Sequence, residues 1–164
     1  MTAVLFVCLG NICRSPAAEA MLRHLALQHQ LSLSIQSCGI GGWHIGEAPD
    51  ERMQQAARAR GILMNSRAQQ FHVNFFEEFD YILAADKEVL QNLRRQASEP
   101  HHHSKLHLMT AFSQHHRGKE VPDPYYFDVV AFEQVLSILE DACEGLLQEI
   151  TAIKVDGEFA TKKT

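Results

Sequence analysis

Residues 4–16 read Val-Leu-Phe-Val-Cys-Leu-Gly-Asn-Ile-Cys-Arg-Ser-Pro, a β-prone apolar stretch that turns into a helix start within six residues. Val4 to Val7 have the composition of a buried strand. Ser15 followed by Pro16 reads as a hydroxyl N-cap and a proline at the first helical position, where its missing N–H costs nothing. The loop between begins with a thiol, Cys8, and ends with a guanidinium, Arg14. A strand, a tight loop and a helix N-terminus form an anion site, because backbone N–H groups and the positive end of the helix dipole converge on one spot. Gly10 and Asn11 are residue types that tolerate left-handed backbone.

The rest of the chain alternates. Residues 16–30 read as a helix with Ala17, Ala20, Met21 and Leu25 on its apolar face, and residues 33–38 as a second strand. A glycine-rich loop spans Gly39 to Pro49, then a helix from Asp50 to Arg60 is closed by Gly61. Phe79 to Ala85 gives a third strand, Asp86 the cap of the next helix, residues 105–110 a fourth strand, and residues 127–153 a long amphipathic helix. The expected fold class is α/β: a single doubly wound domain over residues 1–153, a four-stranded parallel sheet ordered 2-1-3-4 with helices on both faces, and a polar, flexible tail over 154–164. The switch point then lies between strands 1 and 3, where a ligand should bind beside Cys8.

Composition removes several classes of function. A formal charge of −5 on 164 residues offers no electrostatic footprint for nucleic acid or an anionic membrane. Four cysteines, two of them in the loop, do not resemble a disulfide scaffold. No charged leader and no apolar run long enough to span a bilayer is evident, which points to the cytoplasm. The three histidines His101, His102 and His103, with His107, His115 and His116, read as solvent loop rather than as metal ligands, since adjacent side chains diverge. No metal and no cofactor is expected.

A cysteine at the base of an anion cradle has a purpose as a nucleophile. Loop amides, a helix N-terminus and a nearby guanidinium are surroundings that bring cysteine pKa values from about 8.5 to roughly 3.5–7.5. Arg14 offers a planar fork that grips two phosphoryl oxygens, and Ser15 can donate its hydroxyl to the sulfur. The plain alternative is a small buried core residue. An arginine six positions after a given cysteine arises by chance roughly once in twenty, so spacing alone decides little. The combination with the preceding strand, Gly-Asn within and Ser-Pro after carries the catalytic reading.

The run from Val7 to Pro16 resembles the signature of the low-molecular-weight protein tyrosine phosphatases. Asp123-Pro124-Tyr125-Tyr126 resembles the general-acid loop of that family; alone, it reads equally as a turn. Ser37-Cys38-Gly39, Trp43-His44-Ile45-Gly46, Pro49-Asp50 and Phe79-Asp80-Tyr81-Ile82-Leu83 are weaker matches, and the likeness spans about residues 3–150 in the family's order.

The resemblance implies a metal-free, two-step phosphoryl transfer. Cys8 attacks phosphorus, Arg14 grips the phosphate, and Asp123 protonates the leaving oxygen and then activates water. Leu9, Gly10, Asn11, Ile12, Cys13, Arg14 and Ser15 would bind the phosphate. Ile12, Trp43 and Tyr125 would line a slot deep enough for phosphotyrosine, and Ser37 would support the loop. Partners would be phosphotyrosine-containing proteins, with a tyrosine kinase acting in opposition or on Tyr126.

The same likeness brings alternatives. Arsenate reductases of this fold need downstream redox cysteines, and residues 80–100 contain none. Protein arginine phosphatases commonly carry threonine where Ile12 stands. A non-catalytic phosphotyrosine-binding or thiol-redox module would lack the nucleophile, the arginine or the acid. Cys8 and Cys13 share one loop, so a disulfide between them could shield the nucleophile from irreversible oxidation, as reversible inactivation in the family implies; plain packing of Cys13 behind the loop is the alternative. Ser66 and Gln69 depart from a histidine and an arginine frequent in the family, which bears on how the loop is supported.

Overall fold

A computed structural model describes residues 1–162, with side chains described through Ile153. Strand β1 (Thr2–Cys8) pairs in parallel with β2 (Leu33–Gly39) on one side and β3 (Tyr81–Ala84) on the other, and β4 (Leu106–Leu108) adds to β3. The sheet order is β2-β1-β3-β4, as expected. Successive side chains on a strand face opposite ways, and β1 uses both sides. Val4 and Phe6 pack into one core cluster, with residues of α1 (Arg14–Gln28), α2 (Glu51–Ala59) and α6 (Val129–Lys162). Leu5 and Val7 pack into another, with Phe71, Phe76, Phe79 and residues of α4 (Lys87–Gln96). A sheet covered on both faces explains why its central strands β1 and β3 read as continuous apolar runs, whereas the edge strands β2 and β4 carry polar residues between apolar ones.

Several boundaries differ from expectation for physical reasons. Helix α1 starts at Arg14, with Cys13 as its N-cap and no side-chain cap bond. Ser15 therefore lies inside the helix rather than capping it. Proline fits this first turn equally well, because none of the first four helical N–H groups has an intrahelical partner. Asp50 caps α2 by accepting from Arg52 N at 2.9 Å, and Asp86 caps α4 by accepting from Val89 N at 2.8 Å. Gly61 takes the left-handed conformation after α2, with φ 76°.

Two one-turn helices were not foreseen: α3 (Phe75–Glu78) and α5 (Pro100–His103). The second overturns the reading of the histidine tract as solvent loop. Pro100 starts the turn, and His102 is buried with its ring stacked on Phe76 at 4.9 Å. Helix α6 continues to Lys162, beyond its expected end at residue 153 and into the segment read as a tail. Residues 163–164 of that segment lie outside the described residues. No helix among the described residues is long and apolar enough to cross a membrane.

Candidate active site

Parallel strands bring their C-terminal ends to one edge, and that edge carries the site. Cys8 closes β1, and the chain from Leu9 to Cys13 curls beneath it into α1. Asn11 takes the left-handed conformation at φ 57°, while Gly10 does not. Gly10 instead lies close under His44: a Cβ there would be 3.2 Å from His44 Cδ2, so the imidazole would have to shift by a few tenths of an ångström. Behind the loop, a Cβ on Gly39 would lie 2.9–3.0 Å from the backbone of Leu9, Gly10 and Asn11, so glycine lets the end of β2 touch the loop directly. Ile40 N and Gly41 N donate to Cys8 O and Leu9 O, and Asp50 N donates to Ile12 O. The loop's carbonyls are thus tied down outside the site. Among the described residues, the N–H groups of Leu9, Gly10, Ile12 and Cys13 find no acceptor, the arrangement of an anion nest.

The sulfur of Cys8, in a residue 3% exposed, accepts from Asn11 N at 3.3 Å and lies 2.9 Å from Ser15 Oγ. A directed chain of hydrogen bonds sets that hydroxyl. Gln69 N donates to Asn11 Oδ1 at 2.9 Å, which fixes which end of the amide is oxygen. Asn11 Nδ2 then donates to Ser15 Oγ at 2.7 Å and to Ser37 Oγ at 3.0 Å. Ser37 passes its own proton to buried Glu19 Oε1 at 3.0 Å. With both serine oxygens already accepting, the Ser15 proton is left for the Cys8 sulfur or for Cys38 O at 3.2 Å. Burial pushes the Glu19 carboxyl above the ordinary range, against the opposing pull of Arg23 and Ser37.

Arg14 is 4% exposed, yet it faces the cleft in a fixed orientation. Its Nη1 donates to Asp86 Oδ2 at 2.8 Å and to Val121 O at 3.0 Å, while Nη2 lies 3.8 Å from Asp123 Oδ2. Burial works against its charge, but the Cys8 sulfur, Asp86 and Asp123 outweigh that and hold it more firmly protonated than a free arginine. Burial acts oppositely on Cys13, whose thiol is pushed well up, with further contributions from Cys8, Asp50 and Asp123. Cys38 is pushed up by burial and by Cys8. All four cysteines are free thiols.

A cleft of about 260 Å³ opens over these groups, lined by Cys8, Leu9, Gly10, Ile12, Cys13 and Arg14 from the loop and by Trp43, His44, Asp123, Tyr125 and Tyr126 above it. Cys8, Arg14 and Asp123, the first and last of them 115 residues apart, therefore meet in one place. Trp43 is 68% exposed, a surface wall rather than core, and its ring lies across Gly41, where any Cβ would collide with it. Tyr125 is held from below: the Arg52 guanidinium sits 5.3 Å from its ring centre and 4.7 Å from that of Phe132, while Asp50 grips Arg52 at 2.9 Å. The side chains of Asn11, Ser15 and Ser37 form a hydrogen-bonded buttress behind the cleft.

Sequence reading missed His44 and Tyr126 as lining residues, Asp86 as the clamp on Arg14, Glu19 as the end of the hydrogen-bond chain, and Arg52 as the prop of Tyr125. Asp86 alone left a usable trace, since it follows β3 at the predicted switch point.

Residues 3–156 match the family described as low molecular weight phosphotyrosine protein phosphatase. The chain is 42% identical over 153 residues to the low molecular weight protein-tyrosine-phosphatase YfkJ of Bacillus subtilis, covering 92% of this chain and 96% of that one. It superposes on a protein tyrosine phosphatase of Entamoeba histolytica with Hepes in the active site at TM-score 0.90 and 37% identity, covering 94% and 99%. It also superposes on DARP, the drosophila arginine phosphatase, at TM-score 0.84 and 32% identity, covering 92% and 98%.

Proposed function

The chain belongs to the low molecular weight phosphotyrosine protein phosphatases, and on that premise we propose that it hydrolyses protein phosphotyrosine through a phosphocysteine intermediate. Cys8 Sγ attacks phosphorus in line and the bond to the phenolic oxygen breaks. Asp123, at the open side of the cleft, gives its proton to that oxygen. The same carboxylate then takes a proton from water as it attacks the phosphocysteine, and the Cys8 sulfur leaves with the Ser15 hydroxyl bonded to it. The N–H groups of the loop and the free edge of the Arg14 guanidinium meet the equatorial oxygens, where charge is distributed during transfer.

One observation carries the reading: a nucleophile 3% exposed lies at the floor of a narrow cleft walled by Trp43, Tyr125 and Tyr126. A phenyl ring between these walls delivers its phosphate to the sulfur, whereas the short side chain of phosphoserine stops above it. Ile12 adds an apolar contact beside the sulfur. All the charge needed for transfer comes from side chains and backbone, so the reaction runs in chelator. Phosphotyrosine proteins are the substrates, a tyrosine kinase is the opposing activity, and the enzyme works in the cytoplasm. The domain is taken as residues 1–153, with α6 running on past that boundary to Lys162.

Side-by-side hydrolysis of phosphotyrosine, phosphoserine and phosphoarginine peptides in chelator tests this. Phosphotyrosine should be turned over fastest and phosphoserine not at all. Preference for phosphoarginine would assign the chain instead to the chemistry for which the drosophila protein is named.

A further inference from the structure

On the sheet face away from α1 and α6, a cluster of side chains takes no part in phosphoryl transfer. Glu77 of α3 places Oε1 2.7 Å from His101 Nε2 and 2.6 Å from His102 Nε2 of α5, and the ligand atoms of the three residues lie within 4.8 Å of one another. We infer that Glu77, His101 and His102 form a binding site for a divalent transition-metal ion of the zinc or nickel class, which clips α3 to α5.

The donor set is the first argument. Two imidazoles and one carboxylate are the set that zinc takes in three-ligand sites, with water completing the tetrahedron. Alkaline-earth ions, which want only oxygen, are excluded by it. Preorganisation is the second. The His102 ring stacks on Phe76 at 13° between planes, and Phe76 is the neighbour of Glu77, so one short segment fixes both an imidazole and a carboxylate. Lys105 Nζ donates to Phe76 O at 2.6 Å and anchors that segment to the end of α5. Access is the third: the side chains of Glu77 and His101 are 63% and 54% exposed, so an ion can enter from solvent and keep a water ligand.

Binding requires two adjustments. Ligand atoms around a tetrahedral ion with bonds of about 2.0–2.1 Å stand roughly 3.3 Å apart, so the Glu77 carboxylate must swing outward by about 0.6 Å and the imidazole nitrogens, within 4.8 Å of each other, must close to that separation, movements that the exposure of Glu77 and His101 permits. The proton on each Nε2 must leave or move to Nδ1. His102 Nδ1 is buried with no partner. Zinc-bound histidines ordinarily have such a partner, and its lack costs about 10–100-fold in affinity, which places this site in a moderate range rather than among permanent structural sites.

The test is calorimetric titration of zinc chloride into metal-free protein carrying Cys8→Ser, so that the cleft thiol cannot bind the ion. One equivalent should bind, with a rise in melting temperature. Glu77→Gln and His101→Ala, both exposed changes that leave the core intact, should each weaken binding at least tenfold and abolish the melting rise. His103→Ala should change neither, because His103 Nε2 faces Ala97 O instead. No stoichiometric binding by the parent, or equal binding by the Glu77→Gln and His101→Ala proteins, would overturn the site.

Discussion

Single residues in this cleft differ in whether they react or hold others in place, and substitution separates the two. Cys8→Ser should abolish turnover while leaving the fold unchanged. Asp123→Ala should lower kcat by about 10²–10⁴ with phenolic esters of high leaving-group pKa, and much less with an activated aryl phosphate that needs no proton. Equal losses on both substrates would remove Asp123 from the acid role. Asn11→Ala is of the other kind. It deletes the bonds to Ser15, Ser37 and Gln69 N and leaves at a left-handed position a residue without the polar side chain that lets asparagine tolerate it. Unmet buried groups cost about 1–3 kcal/mol and the less tolerant backbone adds to that, so melting and kcat should fall together. Cys8, Arg14 and Ser15 were legible because one contiguous run joins them to a strand, Gly10-Asn11 and Pro16, whereas Asp123 was legible only through the resemblance of its segment to the family's acid loop. Glu19 and Arg52 were not, since their only signal is proximity created by folding.

At the scale of elements, glycine marks where segments touch backbone to backbone. Gly39→Ala would drive a methyl group into the backbone of the nucleophile loop, so it should reduce kcat far more than stability. Gly145 lies in α6, and a Cβ there would come 1.9 Å from Phe112 O. Gly145→Ala should therefore lower the melting temperature with little change in the kinetics of the surviving enzyme. Chemical melts and steady-state rates on both proteins separate the two effects. The start of α1 lies two residues before the expected one, with Cys13 rather than Ser15 as cap, because proline suits any site in a first turn. The one-turn helices carry too few residues to show a period of 3.6, so only tertiary packing of Phe76 and His102 reveals them. Sheet order, by contrast, followed from alternating strand and helix patterns alone.

For the molecule as a whole, acid should be the weak side. Asp141 on α6 accepts from Gln114 N, His115 N and His116 Nδ1. Burial opposes its charge, but these bonds win and hold its carboxyl below the ordinary 3.8. A depressed carboxyl contributes stability that is complete above its unfolded value and lost as pH falls through its folded one. Asp141→Asn should therefore lower the melting temperature at neutral pH and flatten its decline below about pH 4. An unchanged acid limb would mean that other carboxylates, Asp50 among them, control it.

Arg14 is gripped at one end of its fork by Asp86, beyond β3, and by Val121, beyond β4, while its helix grows out of β1. Such wiring leaves no working fragment: a chain with either sheet edge detached would have a loose guanidinium and no catalytic power. Loss of turnover in rising urea should consequently track loss of ellipticity point for point, making the assay itself a thermometer of global order.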